Sequence, residues 1–395
     1  MSPFAICNAR VHTAAGLQSG VAVQIDGRQI VAVLPERDLP PGIARVDLGG
    51  RLLAPGYIDV QVNGGAGRMF NDAPTVDTLA AMGRDHARFG TTGFLPTVIT
   101  DRIEVVEAGM AAVKAAISAG VPGVLGIHVE GPFLNPDYAG IHDAALFRPL
   151  DEAAFRLLTT ADAGRVVVTL APERVDASMI DRLVRAGVRV SIGHSSATYA
   201  QAMAAFAAGA TGVTHLFNAM SALASREPGL VGAALESEAY CGLIVDGQHV
   251  DPAVLRIALR AKRDRRFMLV TDAMASVDDP ASRFVFQNRP IHAQGNAFYD
   301  DDGRLAGSAL SMSRAVQCAV ALLGLDPAEA WTMASANPAA FLGLEQSHGA
   351  IAAGRRADFV VLDDRLEVRQ TWIGGQTVFD RGPGAEPPDE APHGG

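Results

Sequence analysis

At 395 residues the chain is too long for one small module and long enough for a single large barrel with a minor appendage. Nearly half of it is apolar (49%) and only 19% is charged, so a sizeable core is expected, and a net charge of -10 argues against a general nucleic-acid or anionic-membrane surface. A small anionic ligand is still compatible with that balance, because one arginine and a few backbone N–H groups can hold a phosphate locally.

The cysteines, Cys7, Cys241 and Cys318, are odd in number and far apart, with no CxxC pair, which indicates neither a thiolate metal site nor a disulfide framework. No secretory leader and no bilayer-length apolar run is visible, so a soluble, cytoplasmic protein is expected.

In chain order, Phe4 to Ala9, Val21 to Ile25 and Gln29 to Leu34 read as short strands broken by Gly and Pro. Ala357 to Leu362 and Thr371 to Phe379 read the same way near the other end, with Gly374-Gly375 as a turn. Two β-rich ends around an α/β middle predict a small β-sandwich from residues 1–53 and 346–381, with 54–345 inserted as a catalytic domain. A disordered tail is expected over 382–395.

Within the middle, β-branched apolar runs recur at Leu53 to Gln61, Thr92 to Val98, Gly123 to Val129, Arg165 to Ala171, Val188 to Ile192, Gly212 to His215, Tyr240 to Val245 and Arg266 to Thr271. Ala-rich amphipathic stretches lie between them, such as Val76 to Arg88, Glu104 to Ala119, Ala177 to Ala186 and Ala200 to Ala208. That alternation predicts a TIM-like (β/α)8 barrel, with a doubly wound open sheet as the competitor. The residues following the runs favour the barrel: Gln61 and Asn63, Thr97, Glu130, Pro172-Glu173, His194, His215, Asp246 and Asp272. Strand carboxyl ends converge on one mouth in a barrel, and active sites are built there. After Asp272 a Gly- and Asp-rich excursion, roughly 277–303, reads as a hairpin or lid, followed by helices over Ser311 to Leu323 and Pro327 to Leu342.

Three clusters carry the chemistry. In His128-Val129-Glu130-Gly131-Pro132, residues 128 and 130 share the inward face of a strand, and an inward glutamate needs a partner, whether a metal or a structural ion pair. Gly193-His194-Ser195 and Thr214-His215-Leu216 each put a histidine where a strand gives way to a loop; either one alone is most simply a hydrogen-bonded core histidine. Together, two imidazoles and a carboxylate leaving one position open form the pattern of a catalytic zinc site. Asp272 closes the eighth run, where it is either a helix N-cap or a carboxylate able to take a proton from a metal-activated water.

Ala54-Pro55-Gly56-Tyr57-Ile58-Asp59 resembles the first-strand signature of the amidohydrolase superfamily. The blocks at 128–132, 193–199, 214–220, 243–250, 270–273 and 305–312, in order from about residue 50 to 345, resemble the N-acetylglucosamine-6-phosphate deacetylase family. The resemblance implies Glu130, His194 and His215 as ligands of one divalent metal, most simply Zn2+. It also implies Asp272 as general base and acid, and His142 as donor to the acetyl carbonyl. For the phosphorylated amino sugar it points to Gln61, Ile141, His142, Asn218, Ala219, Arg226, Asp246, Gly247, Gln248, His249, Leu305, Ala306 and Gly307.

Arg226 suits a phosphate, and in a homodimer it would reach the neighbouring site; the plainer reading is a solvated arginine beside Glu227. Gln61-Val62-Asn63 stands where many amidohydrolases carry His-x-His for a second metal, so a single metal is expected, with both amides beside it. Ala139 departs from the lysine that relatives often carry, which bears on the substrate contacts of that loop. Two further readings change the outcome: the same chemistry on another N-acetyl amino sugar or an N-acyl amino acid, or a silent barrel serving as a scaffold.

Overall fold

Parallel strands that are apolar on both faces must be covered on both sides, and the chain does this by closing them into a barrel. The computed structural model describes residues 2–160, 164–279, 282–295 and 297–382. The expected tail lies outside the described residues from 383 onward. The barrel strands are β1 (Tyr57–Val62), β2 (Thr91–Ile99), β3 (Gly126–Glu130), β4 (Arg165–Leu170), β5 (Arg189–Ile192), β6 (Gly212–Val213), β7 (Tyr240–Leu243) and β8 (Phe267–Leu269). They lie side by side in sequence order, each parallel to the next. The segment after β8 returns to β1: Asp272 N donates to Gln61 O at 3.0 Å and Asn63 N to Ala273 O at 2.8 Å. Thr271 Oγ1 donates to Asp59 Oδ2 at 2.6 Å, so a buried side-chain bond reinforces the seam. The (β/α)8 expectation therefore holds, and the open-sheet alternative does not.

Residues from both chain ends form two further sheets. Gln29–Pro35, Val21–Asp26, Phe4–Cys7 and Ala44–Asp47 make one, in that order. Gln376–Asp380, Val368–Ile373, Phe359–Leu362, Leu52–Pro55, Arg10–Thr13 and Gly16–Gln18 make the other. Side-chain alternation sorts the second sheet's faces. Leu53, Phe359 and Val361 pack with Ile6, Val23 and Ile25 between the two sheets. Leu52, Ala54, Val360 and Leu362 join the barrel core instead. This sheet is thus the wall shared by both units, which is why its central strands Leu52–Pro55 and Phe359–Leu362 read as unbroken apolar runs.

The predicted run Leu53 to Gln61 proves to be two strands, split at Gly56. A Cβ at that position would stand 2.2 Å from Thr92 Oγ1, so only glycine lets the chain step from the shared wall into the barrel. The expected helix Pro327 to Leu342 is α over Pro327–Trp331, widens to a π turn over Thr332–Ala336, and resumes α over Asn337–Phe341. Pro338 at the restart has no N–H to give the preceding turn. The excursion after Asp272 is an antiparallel meander, Arg283–Phe286, Arg289–Gln294, Ala297–Asp300 and Leu305–Ser308. It seats Phe286, Ile291 and Phe298 on Ile99, Ile141 and Met274, beside the barrel mouth. No helix among the described residues is long and apolar enough to cross a membrane.

Candidate active site

Glu130 is the last residue of β3, while His194, His215 and Asp272 follow β5, β6 and β8 by two or three positions. The last three adopt left-handed backbone, with φ of 48°, 31° and 52°. Such conformations cost a side chain with a Cβ about 1–3 kcal/mol each and concentrate at functional sites. Here each bends the chain sharply as it leaves a strand, turning the side chain over the barrel mouth instead of along its wall.

Those turns bring three ligand atoms together. Glu130 Oε1 lies 3.0 Å from His215 Nε2 and 3.3 Å from His194 Nε2. The two Nε2 atoms are 3.0 Å apart, and all three residues are buried. His194 Nδ1 is 2.8 Å from the carbonyl oxygen of Tyr138, which can only accept, so Nδ1 carries the hydrogen and Nε2 presents a lone pair. Two imidazole nitrogens and a carboxylate oxygen converging on one point suit a single divalent cation, which would satisfy all three.

Charge at the site is tuned by burial and by neighbours. Burial works to raise the Glu130 pKa, but the imidazoles of His194 and His215 beside its carboxylate outweigh it and hold the carboxyl well below the usual range. For His215, burial disfavours the charged ring, yet the hydrogen bond and charge of Glu130 prevail and its pKa is raised. Asp272 is pushed up to about 6, first by burial and then by the charge of Glu130. His142 is brought down to about 3, mainly by burial and next by the charge of His194, so its ring is neutral.

Asp272 Oδ1 accepts from Asn63 Nδ2 at 2.7 Å and from Gln61 Nε2 at 3.1 Å. Gln61 Nε2 also donates to Glu130 Oε1 at 3.1 Å, so one amide ties the acid to the ligand cluster. Both amides therefore serve Asp272 as donors, in the place where a His-x-His pair would hold a second ion. Gly307, with φ 147°, lets the segment 305–307 pass close by: a Cβ there would meet Asp272 O at 3.0 Å.

A cavity of about 370 Å³ opens over this centre. Of the residues predicted to bind substrate, Ile141, His142, Asn218, Ala219, His249, Leu305, Ala306 and Gly307 line it. Gln61, Arg226, Asp246, Gly247 and Gln248 do not line it. The Asp246 carboxylate accepts from Gln248 N at 2.8 Å, His249 N at 2.9 Å and His249 Nδ1 at 2.5 Å. It fixes its own turn and aims His249. Arg226 is exposed, on the loop before the helix Gly229–Glu236, outside the cavity of its own chain.

Sequence reasoning missed several contributors. Arg304 is the one arginine or lysine that lines the cavity among the described residues. Glu173 gathers the loop of His194: it accepts from Ser195 Oγ at 2.6 Å, Asn135 Nδ2 at 2.7 Å, Ser196 N at 2.8 Å and Ser196 Oγ at 3.2 Å. Asn135 N in turn donates to His194 O at 3.0 Å. A polar residue ending the fourth strand was the available signal, but its partners lie too far off in sequence to be read. Asp59, raised to about 7 by burial, accepts from Thr271 and from Gln61 N at the barrel seam.

Comparison with known proteins agrees with this geometry. The amidohydrolase family matches residues 52–378, and the NagA composite domain matches residues 3–53. An N-acetylgalactosamine-6-phosphate deacetylase of Shewanella sp. (strain ANA-3) is 47% identical, over 84% of this chain and 84% of that protein. An N-acetylglucosamine-6-phosphate deacetylase of Haemophilus influenzae is 35% identical over 94% and 98% respectively. The crystal structure of N-acetylglucosamine-6-phosphate deacetylase from Pasteurella multocida superposes with a TM-score of 0.91 at 34% identity, covering 95% of this chain and 99% of that one.

Proposed function

Because the chain belongs to the amidohydrolase family, among the N-acetylhexosamine-6-phosphate deacetylases, we propose that it hydrolyses N-acetylglucosamine 6-phosphate to glucosamine 6-phosphate and acetate. The observation that carries this reading is the convergence of Glu130, His194 and His215 within 4.8 Å, with Asp272 tied to the same cluster through Gln61. A divalent cation held by these three side chains, which we take to be one zinc per subunit, supplies Lewis acidity for the acetamido carbonyl and makes a water more acidic. Asp272 takes a proton from the attacking water and returns one to the departing amine. Its raised pKa suits that exchange, since a base near neutrality both accepts and releases protons readily. His142, neutral and at the cavity wall, faces the carbonyl oxygen where negative charge develops.

Asn218, Ala219, His249 and the segment 305–307 line the space for the sugar. We assign the 6-phosphate to Arg226 of a neighbouring subunit in a homodimer, a reading consistent with its exposure outside its own cavity. Gln61 contacts the substrate only through Asp272 and Glu130 on this account, while Asp246, Gly247 and Gln248 act by shaping the turn that carries His249. The catalytic unit is read as residues 54–345, with 1–53 and 346–381 as its β-sandwich companion. Three buried, unpaired cysteines favour a reducing cytoplasm.

A second reading, the galactose epimer as the preferred sugar, is favoured by the 47% identity to an N-acetylgalactosamine-6-phosphate deacetylase. Acetate release from both N-acetylhexosamine 6-phosphates and from the unphosphorylated sugars, assayed in parallel, tests the assignment. A higher kcat/KM for the glucosamine derivative supports the first reading and a higher one for the galactosamine derivative the second. Equal rates with and without phosphate would remove Arg226 from the site.

A further inference from the structure

A neutral imidazole carries its one hydrogen on either ring nitrogen, and only an Nε2–H of His142 can serve an oxygen in the cavity if Nδ1 is engaged elsewhere. Nδ1 is engaged. It lies 2.8 Å from Thr100 Oγ1 and 3.4 Å from the Thr100 backbone nitrogen. Thr100 is buried directly after β2, in the turn beneath the His142 loop. A backbone amide can only donate, and Nδ1 is the acceptor its geometry provides, so Nδ1 must present its lone pair. The threonine hydroxyl has a second possible acceptor in Glu130 O, but at 3.4 Å against 2.8 Å to Nδ1. With Nδ1 unprotonated, the shorter contact is the one the hydroxyl hydrogen makes.

We infer that Thr100 is a positioning residue that locks His142 in the Nε2–H form, with that hydrogen aimed at the acyl oxygen of the substrate. The inference rests on the deacetylase reading for the oxygen, but not for the tautomer. A second layer holds the pair in place. Gln287 Nε2 donates to Thr100 O at 2.9 Å, and Arg289 Nη1 donates to Ile141 O at 3.0 Å. Gln287 lies in the tight turn of the first meander hairpin, where it and Asn288 have φ of 47° and 63°, and Arg289 opens the strand that follows. One hairpin therefore grips the backbone on either side of the Thr100–His142 contact. His194 completes the setting, its ring centroid 4.4 Å from that of His142.

The test combines nitrogen NMR with kinetics on the zinc-loaded, full-length protein. Histidine side chains labelled with 15N, with His142 assigned by loss of its signals in His142→Gln, are expected to show an unprotonated Nδ1 and a protonated Nε2. In Thr100→Val the two forms mix. Its kcat is expected to fall about 10- to 100-fold with little change in KM, less than the about 100- to 1,000-fold of deleting an oxyanion donor outright. Thr100→Ser, which keeps the hydroxyl, restores both signals and rate. Thr100→Ala serves in place of the valine variant if that one does not fold. A wild-type Nδ1–H signal, or a hydroxyl-free variant with wild-type kcat, overturns the inference. If the wild type releases no acetate from either sugar phosphate, the functional reading fails, while the nitrogen signals still decide the tautomer.

Discussion

Removing the Glu173 carboxylate should weaken metal binding without touching a ligand. His194 occupies a left-handed backbone conformation that resists it by about 1–3 kcal/mol, with φ 48°. Against that, Glu173 accepts four hydrogen bonds from Asn135, Ser195 and Ser196, and bonds to a charged acceptor are worth about 1.5–3 kcal/mol each. The clamp therefore exceeds the strain it must overcome. In Glu173→Ala the His194 loop is free to relax, and the imidazole spends less time in its binding position. Losing a side chain that orients a ligand typically costs about 10- to 100-fold in metal affinity, or about 1.4–2.7 kcal/mol. Competition with a chromophoric chelator reads the affinity directly, and thermal unfolding of the metal-free protein reads the structural cost. Glu173→Gln, which keeps one acceptor oxygen, should fall between. Wild-type metal affinity in the alanine variant, with only a lowered melting temperature, would refute the reasoning and leave Glu173 a scaffold residue.

Other perturbations follow from the same geometry. Asp272→Asn should lower kcat by about 100- to 10,000-fold, the usual worth of a positioned base, with the fold unchanged by circular dichroism. In the wild type, the Asp272 pKa of about 6 means that the base is lost as pH falls through that value, so kcat/KM should drop on the acid side. A bound cation favours the carboxylate and moves that limb below 6, never above it; a limb above pH 7 would contradict the assignment. Arg226→Ala should raise KM for the phosphorylated sugar by about 10- to 100-fold, matching about 1.5–3 kcal/mol for hydrogen bonds to a charge, and leave the unphosphorylated sugar unaffected. Gly56→Ala forces a methyl to 2.2 Å from Thr92 Oγ1, whose hydroxyl is committed to Tyr57 O at 3.2 Å. It should cost about 1–3 kcal/mol of stability, the range for overpacked sites, measured as a lowered urea midpoint.

What the sequence disclosed follows from the barrel itself. Because parallel strands send all their carboxyl ends to one mouth, Glu130, His194, His215 and Asp272 could be grouped from their place after apolar runs, without any distance. The split at Gly56 could not be read, since a strand buried on both faces looks the same in the shared wall and in the barrel. Roles set by contacts distant in sequence were likewise hidden: Thr100 meets His142, and Glu173 meets Asn135, only once the mouth is assembled. Asp246 shows the same limit: its place after the seventh run is legible, but that its carboxylate accepts from Gln248 N, His249 N and His249 Nδ1 and so fixes the turn is not. Arg304 escaped notice because a polar, Asp-rich stretch gives no periodic signal of which side faces a cavity.

The most direct measurement is acetate release from N-acetylglucosamine 6-phosphate by chain stripped of metal and then titrated with zinc. The account predicts negligible turnover in the stripped protein and a rise that saturates at one equivalent per subunit. Glu130→Gln and His215→Ala should fail to show that rise. Full activity without metal, or saturation only at two equivalents, would contradict it.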